Sequence, residues 1–203
     1  MAPEVRSRLP EPGPFEGLLR PARIDVVSLV RLSRYPATEP YWSAGVHRFD
    51  DPGAGRASAF GTCYTASRIA VAFAESVIHE SGRFAGGTYE VPAAELTGRS
   101  VVRFICERRK TLVLADLTGA AFKALGLNND ISASADYTTS QAWARAIHDA
   151  NPRWDGIRYV SRQMNKGFGY AVFERSALRM LRAEKLKARQ VDDLCDRFNV
   201  TAM

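Results

Sequence analysis

Four side chains in the first half of the sequence have the types and spacing to act together on one small molecule: Arg31, Arg48, Tyr64 and Glu75. A helix from about Arg68 to Glu80 would set Glu75 beside Val71, Ala72 and Ile78 at three- and four-residue spacings, so that its carboxylate projects from a mostly apolar face. An acid so placed is costly to keep unless it has a task. In a water-poor site a carboxylate stabilises a developing sugar cation. Arginines grip paired phosphate oxygens with a rigid, permanently charged fork, and an aromatic ring stacks on a flat heterocycle. This combination suits NAD⁺, whose nicotinamide is already a cationic leaving group, so that its bond to ribose breaks without a general acid. The same residues also read as plain structure, with Glu75 a salt-bridged helix acid, Arg48 a cation bracing a loop, and Tyr64 part of the core.

These side chains need elements to carry them. The Val-, Ile- and Leu-rich run from Ile24 to Leu32 predicts a strand with Arg31 near its end. Ser33 to Ser58 contains Pro36, Pro40, Gly45, Pro52, Gly53 and Gly55, which predicts an ordered loop presenting Arg48. Gly61 to Thr65 predicts a strand carrying Tyr64, and Ser67 offers an N-cap to the Glu75 helix. Further strands are expected over Thr88 to Val91, Ser100 to Cys106, Thr111 to Leu117, Gly156 to Ser161 and Tyr170 to Glu174. Helices are expected over Gly119 to Leu125, closed by Gly126, and over Thr139 to Ala150, stopped by Asn151-Pro152. The last segment is expected to be helical in part. Helix and strand alternate irregularly with no repeat or linker, which predicts a single α+β domain over residues 24–203 behind a loose lead-in over residues 1–23.

Composition narrows the function classes. The 203 residues, 46% hydrophobic and 10% aromatic, are enough for a full core. The longest apolar runs fall far short of the roughly 20 residues that cross a bilayer, and the proline- and charge-bearing start lacks the pattern of a signal peptide. Cys63, Cys106 and Cys195 are odd in number and far apart, so they read as structural cysteines of a reduced, cytoplasmic protein, with no disulfide framework and no metal site. The net charge of +6 gathers between Arg175 and Arg189, a stretch without interleaved aromatics, which fits a solvated face or an acidic protein partner better than nucleic acid. Neither a phosphate-binding Gly-x-x-x-x-Gly-Lys-Ser/Thr loop nor a Gly-x-Gly-x-x-Gly turn is present, which disfavours a kinase or a Rossmann dehydrogenase. His47, His79 and His148 stand apart from obvious partners and read as ordinary polar or half-buried histidines.

An ordered series of motifs resembles the RES domain family: Arg48-Phe49-Asp50-Asp51-Pro52, Gly61-Thr62-Cys63-Tyr64-Thr65-Ala66, Ala72-Phe73-Ala74-Glu75-Ser76, and Asp155-Gly156-Ile157-Arg158-Tyr159-Val160-Ser161-Arg162. On matching positions the arginine, glutamate and serine that name the family are Arg48, Glu75 and Ser161, with Arg31 a further family arginine and Tyr64 the tyrosine eleven residues before the glutamate. The resemblance implies an ADP-ribosyltransferase-like fold, with mixed sheets and flanking helices forming an NAD-binding cleft. It also implies a growth-inhibiting toxin that acts as an NAD⁺ glycohydrolase or phosphorylase, with Glu75, Arg48 and Tyr64 catalytic. Arg31, Arg48, Tyr64 and Ser161 would bind the nucleotide, and Thr138 or Gln141 would close the pocket unless Thr139 or Ser140 merely caps the following helix. The partner implied is a helix-turn-helix antitoxin whose C-terminal part enters the cleft, and a homo-oligomer is left open. Transfer of ADP-ribose to a protein, or a non-catalytic NAD-binding module, would use the same pocket. The sequence departs from many relatives before Arg48, where it reads Val46-His47, and after it, where Gly53-Ala54-Gly55-Arg56 brings a competing arginine.

Overall fold

The computed structural model describes residues 6–11, 14–57 and 59–203. Parts of the expected lead-in (1–5, 12 and 13) and Ser58 at the end of the expected loop lie outside the described residues. In chain order the elements are β1 (Pro21–Asp25), β2 (Val30–Ser33), β3 (Thr62–Ala66), α1 (Ile69–Phe73), a π-helical turn (Ala74–Ile78) and α2 (His79–Ser81). There follow β4 (Arg83–Ala85), β5 (Thr88–Val91), α3 (Ala93–Thr97), β6 (Ser100–Ile105), β7 (Thr111–Asp116), α4 (Gly119–Ala124), α5 (Asp130–Ala133) and α6 (Thr138–Ala150). The chain ends with β8 (Gly156–Val160), β9 (Phe168–Phe173), β10 (Arg179–Lys185), α7 (Ala188–Phe198) and β11 (Val200–Ala202).

Eight strands form one curled sheet in the order β1-β7-β8-β9-β3-β2-β6-β10, antiparallel except between β7 and β8. A small second sheet, β11-β5-β4, sits beside it. This is a single α+β domain with mixed sheets and flanking helices. Alternation along the strands divides the core. Leu112 and Leu114 of β7, Phe104 of β6 and Val172 of β9 meet on one face of the large sheet. On the other face lie two separate clusters, one around Phe49, Trp143, Trp154 and Phe173, the other around Val71, Phe73, Val77 and Leu194. The side chains of β3 and β2 that face this way reach the seam between the two.

Several expectations need correction. The strand expected over Ile24 to Leu32 is two strands, β1 at the sheet edge and β2 between β3 and β6. Asp25 makes the break, because its carboxylate accepts the Val27 N–H at 3.3 Å and its carbonyl accepts the Ser28 hydroxyl at 2.7 Å, closing a short 3₁₀ turn that moves the chain across the sheet. Ser67 does not cap the Glu75 helix. That helix starts from an extended Arg68, while the Ser67 hydroxyl accepts the Phe168 N–H at 3.3 Å. The lead-in is not loose where it is described: Ser7 donates to Asp130 from its backbone N–H at 2.8 Å, the Arg8 carbonyl accepts the Trp143 indole N–H at 2.7 Å, and Phe15 packs edge-on against Trp143. At the C-terminal end α7 is the helix anticipated, but β10 forms the other edge of the large sheet and β11 pairs parallel to β5. Neither strand has the alternating pattern that would reveal it, since β10 is exposed along its whole length.

A charge network ties β2 and α3 to the Glu75 helix. Glu95 accepts the Arg99 guanidinium at 2.6 and 3.1 Å and the Arg34 Nε at 2.9 Å, and Arg99, itself buried, also donates to the Ser76 carbonyl at 2.8 Å. Partial burial pulls the Glu95 carboxyl upward, but the two arginine hydrogen bonds outweigh it and hold it below its ordinary value of 4.5. A depressed folded-state value stabilises the fold above the unfolded value, and the contribution is lost as pH falls through the folded value. Glu95→Gln is therefore expected to cost about 1–2 kcal/mol at neutral pH after allowance for solvent screening, and wild type and variant should converge in acid. Urea unfolding across that range checks this, and a pH-independent difference would contradict it.

Candidate functional site

A cavity of about 510 Å³ opens at the seam between the two clusters, within the range of about 300–1,000 Å³ typical of small-molecule sites. Arg31, Arg48, Tyr64 and Glu75 all line it. Glu75 stands at the beginning of the π-helical turn rather than in regular α-helix. Such a turn admits an extra residue and re-aims the side chains it carries. The helix buries Val71, Phe73, Val77 and Ile78, while Glu75 and Ser76 remain half-buried at the cavity wall.

Ser161, just past the end of β8, is fully buried and does not line the cavity. Its hydroxyl donates to Glu75 Oε1 at 2.5 Å and accepts the Met164 N–H at 3.0 Å. The turn from Ser161 to Gly167 closes with Ser161 N–H to Gly167 O at 2.9 Å. Gly167 lets that turn meet the helix, since a Cβ there would fall 2.3 Å from Val71 Cγ2. Ser161 thus touches the acid and not the cavity.

The Arg48 loop is organised by a carboxylate. Asp50, fully buried, accepts the Ser43 hydroxyl at 2.8 Å, the Val46 and His47 N–H groups at 3.0 and 2.8 Å, and the Tyr64 hydroxyl at 2.9 Å. The Tyr64 oxygen in turn accepts the Phe49 N–H at 2.8 Å. Burial, reinforced by the Asp50 charge, raises the Tyr64 phenol well above its usual value, so it remains a proton donor. Asp51 adds a second anchor through Gly53 N–H, Phe60 N–H and Arg145. Gln141, expected to close the pocket, lies outside the cavity lining and braces this loop instead, donating to the His47 carbonyl at 3.0 Å.

Arg48 is 9% exposed, donates to the Ser134 carbonyl at 2.8 Å and lies over the Tyr137 ring at 4.7 Å. Burial lowers its guanidinium from the usual value, though an arginine stays charged. Arg56 is exposed and outside the cavity lining, so of the two competing arginines only Arg48 faces the site. Arg31 is committed elsewhere: its Nε pairs with Glu39, whose side chain is 1% exposed, at 2.9 Å, and its Nη1 donates to the Tyr64 carbonyl at 2.9 Å. Thr138 is exposed and outside the cavity lining, its N–H held by Asp136 at 2.9 Å. The cap position of α6 is Tyr137, so neither Thr139 nor Ser140 caps it.

Sequence reasoning assigned no role to Tyr159, Tyr137, His79 or Arg162, all of which line the cavity. Tyr159 had a usable signal: it lies two residues before Ser161 and so shares its face of β8. Its ring packs against Phe49 at 4.9 Å and lies over Gly169 on the neighbouring strand, where a Cβ would come within 2.3 Å of the ring. Burial, then the Glu75 charge, raises its phenol above the usual range, which keeps it neutral. Among the cysteines, Cys63 is buried in the core and pushed up to about 12, far from thiolate chemistry at neutral pH. Among the described residues no helix is long and apolar enough to cross a membrane.

The sequence pattern of the RES domain family matches residues 23–192. Among solved structures, a chain of the Mycobacterium tuberculosis MbcT–MbcA toxin–antitoxin complex superposes with a TM-score of 0.57 at 16% sequence identity, covering 89% of this chain and 93% of that one, so the two share a fold. No curated protein matches the sequence.

Asp50→Ala removes four hydrogen bonds at once and frees both the Arg48 loop and the Tyr64 hydroxyl. It is expected to cost about 3 kcal/mol, read as a lower melting temperature by calorimetry. An unchanged melting temperature would mean that the loop keeps its shape without this carboxylate.

Proposed function

The chain belongs to the RES domain family, and from that premise we propose that it is a growth-inhibiting toxin that consumes NAD⁺ by breaking the nicotinamide–ribose bond. The observation that carries this reading is the Glu75 carboxylate, held from behind by Ser161 and facing a cavity that it shares with Arg48 and Tyr64. One carboxylate oxygen is tied to the serine, which leaves the other for the ribose.

In the reaction proposed, the C–N bond breaks with its electron pair leaving on the nicotinamide nitrogen, which neutralises the pyridinium. The charge that appears on the sugar is stabilised by Glu75, an interaction that strengthens as the bound nucleotide displaces water from the cavity. Water then adds at the anomeric carbon and releases its proton to solvent; in a phosphorylase a phosphate oxygen forms that bond instead. Arg48 holds the diphosphate, and Tyr64 packs against the nicotinamide while its hydroxyl keeps the Arg48 loop in place. Ser161 acts through Glu75, as a positioning residue.

The likeness to a chain from a toxin–antitoxin complex supports a protein partner that blocks this cavity. A helix-turn-helix antitoxin expressed from a neighbouring gene fits that part. A segment of such a partner seated in the cavity would exclude the nucleotide.

Purified protein mixed with NAD⁺ should release nicotinamide. Glu75→Gln is expected to lose about 100-fold or more of that rate, and Ser161→Ala about tenfold, with KM less affected than kcat. Following labelled NAD⁺ separates the products: free ADP-ribose marks a hydrolase, a phosphorylated sugar a phosphorylase, and label on a protein band a transferase. Equal turnover by Glu75→Gln would remove the acid from the mechanism. Binding without turnover would make the domain a module.

A further inference from the structure

Five arginines line the cavity: Arg31, Arg34, Arg48, Arg99 and Arg162. They fall into two groups. Arg31 is neutralised by Glu39, and Arg34 and Arg99 share Glu95 and approach Glu80. Arg48 and Arg162 form no ion pair among the described residues. Each is held only by neutral groups: Arg48 by the Ser134 carbonyl and the Tyr137 ring, Arg162 by the Ala133 carbonyl at 3.2 Å and the His79 ring at 3.4–3.5 Å. The two carbonyls belong to consecutive residues at the end of α5, so one turn of backbone fixes both guanidiniums on the same side of the cavity.

Two positive charges so arranged, neither held in an ion pair, repel one another, and the cost grows with burial. Burial lowers both the Arg48 guanidinium and the His79 imidazole from their usual values, and the charge of Arg162 lowers them further, against an opposing pull from Glu75. The carbonyls orient the forks without cancelling them, and each fork keeps N–H donors free for a ligand. A ligand with two linked anionic groups would relieve the repulsion and satisfy both forks.

We infer that Arg48 and Arg162 form a two-arginine clamp for a diphosphate, with Arg162 the second phosphate-binding residue of the site and Arg31 a structural one. The clamp rests on the NAD⁺ reading only for which diphosphate it holds; its specificity for paired phosphates stands on the charge arrangement alone. It replaces the Arg31–Arg48 pair suggested by sequence, because the charge of Arg31 is already met by a buried carboxylate.

The test is calorimetric titration of the full chain with inorganic pyrophosphate and, separately, with ADP-ribose, for wild type, Arg162→Gln, Arg162→Met and the exposed control Arg56→Gln. Wild type and Arg56→Gln should bind both ligands alike. Both Arg162 variants should bind each ligand about tenfold or more weakly, the loss of one charge-assisted pair, with melting temperatures close to wild type because the side chain is exposed at the cavity mouth. Undiminished pyrophosphate binding by the folded Arg162 variants would overturn the clamp, as would a wild type that binds neither ligand. A wild type that binds pyrophosphate in an Arg162-dependent way but ignores ADP-ribose and NAD⁺ would support the clamp and overturn the NAD⁺ reading.

Discussion

One hydrogen bond joins the two halves of this site. The Ser161 hydroxyl, at the end of β8, reaches the Glu75 carboxylate on the helix that follows β3. The helix packs into one hydrophobic cluster, and β8 supplies residues such as Ile157 to the other. The serine therefore fixes the acid itself relative to the sheet, which its helix otherwise meets mainly through apolar contacts, strong but not directional, and through the Arg99 hydrogen bond to the Ser76 carbonyl. The π-helical turn contributes at the same point by turning the acid out of the packed helix face.

Around that joint the charges are sorted by burial. Carboxylates that are fully enclosed, such as Asp50 and Asp51, serve loop geometry and are satisfied by backbone N–H groups, hydroxyls and, for Asp51, the Arg145 guanidinium. Glu39 and Glu95 neutralise the arginines along β2 and beside α3. The positive charge left over is concentrated on the side of the cavity formed by α5, opposite in sign to the acid that shares the space. A site with one carboxylate and a separate cationic pole suits a ligand with an anionic diphosphate whose positive charge passes from a leaving heterocycle to a sugar as their bond breaks. That is the chemistry of a dinucleotide losing nicotinamide.

The proposed division of labour follows from what each side chain has already given to the fold. Tyr64 has committed its hydroxyl to Asp50 and Phe49, so its contribution to a ligand is its ring. Ser161 has committed its hydroxyl to Glu75 and Met164, so it shapes the acid and stays out of the cavity. Gln141 supports the loop that carries Arg48 from behind.

Much of the frame was legible from residue order. Short β-prone runs marked β3, β5, β6, β7, β8 and β9, a three-to-four spacing marked the Glu75 helix, and Asn151-Pro152 marked the end of α6, because side-chain type and backbone preference act over a few residues. The motifs also singled out Glu75, Arg48 and Tyr64, which do share one cavity. What tertiary structure alone decided was partnership. Nothing local in the sequence says that Arg31 meets Glu39, that Ser161 points at a residue 86 positions earlier, or that Arg162 and Arg48 hang from adjacent carbonyls. The edge strand β10 and the split after Asp25 were hidden for the same reason. An exposed strand carries no apolar rhythm, and a single turn-forming side chain is outvoted by the β-branched run around it. Residue type set what each group could do; the folded chain, by bringing charges together or keeping them apart, set which of them remained available to do it.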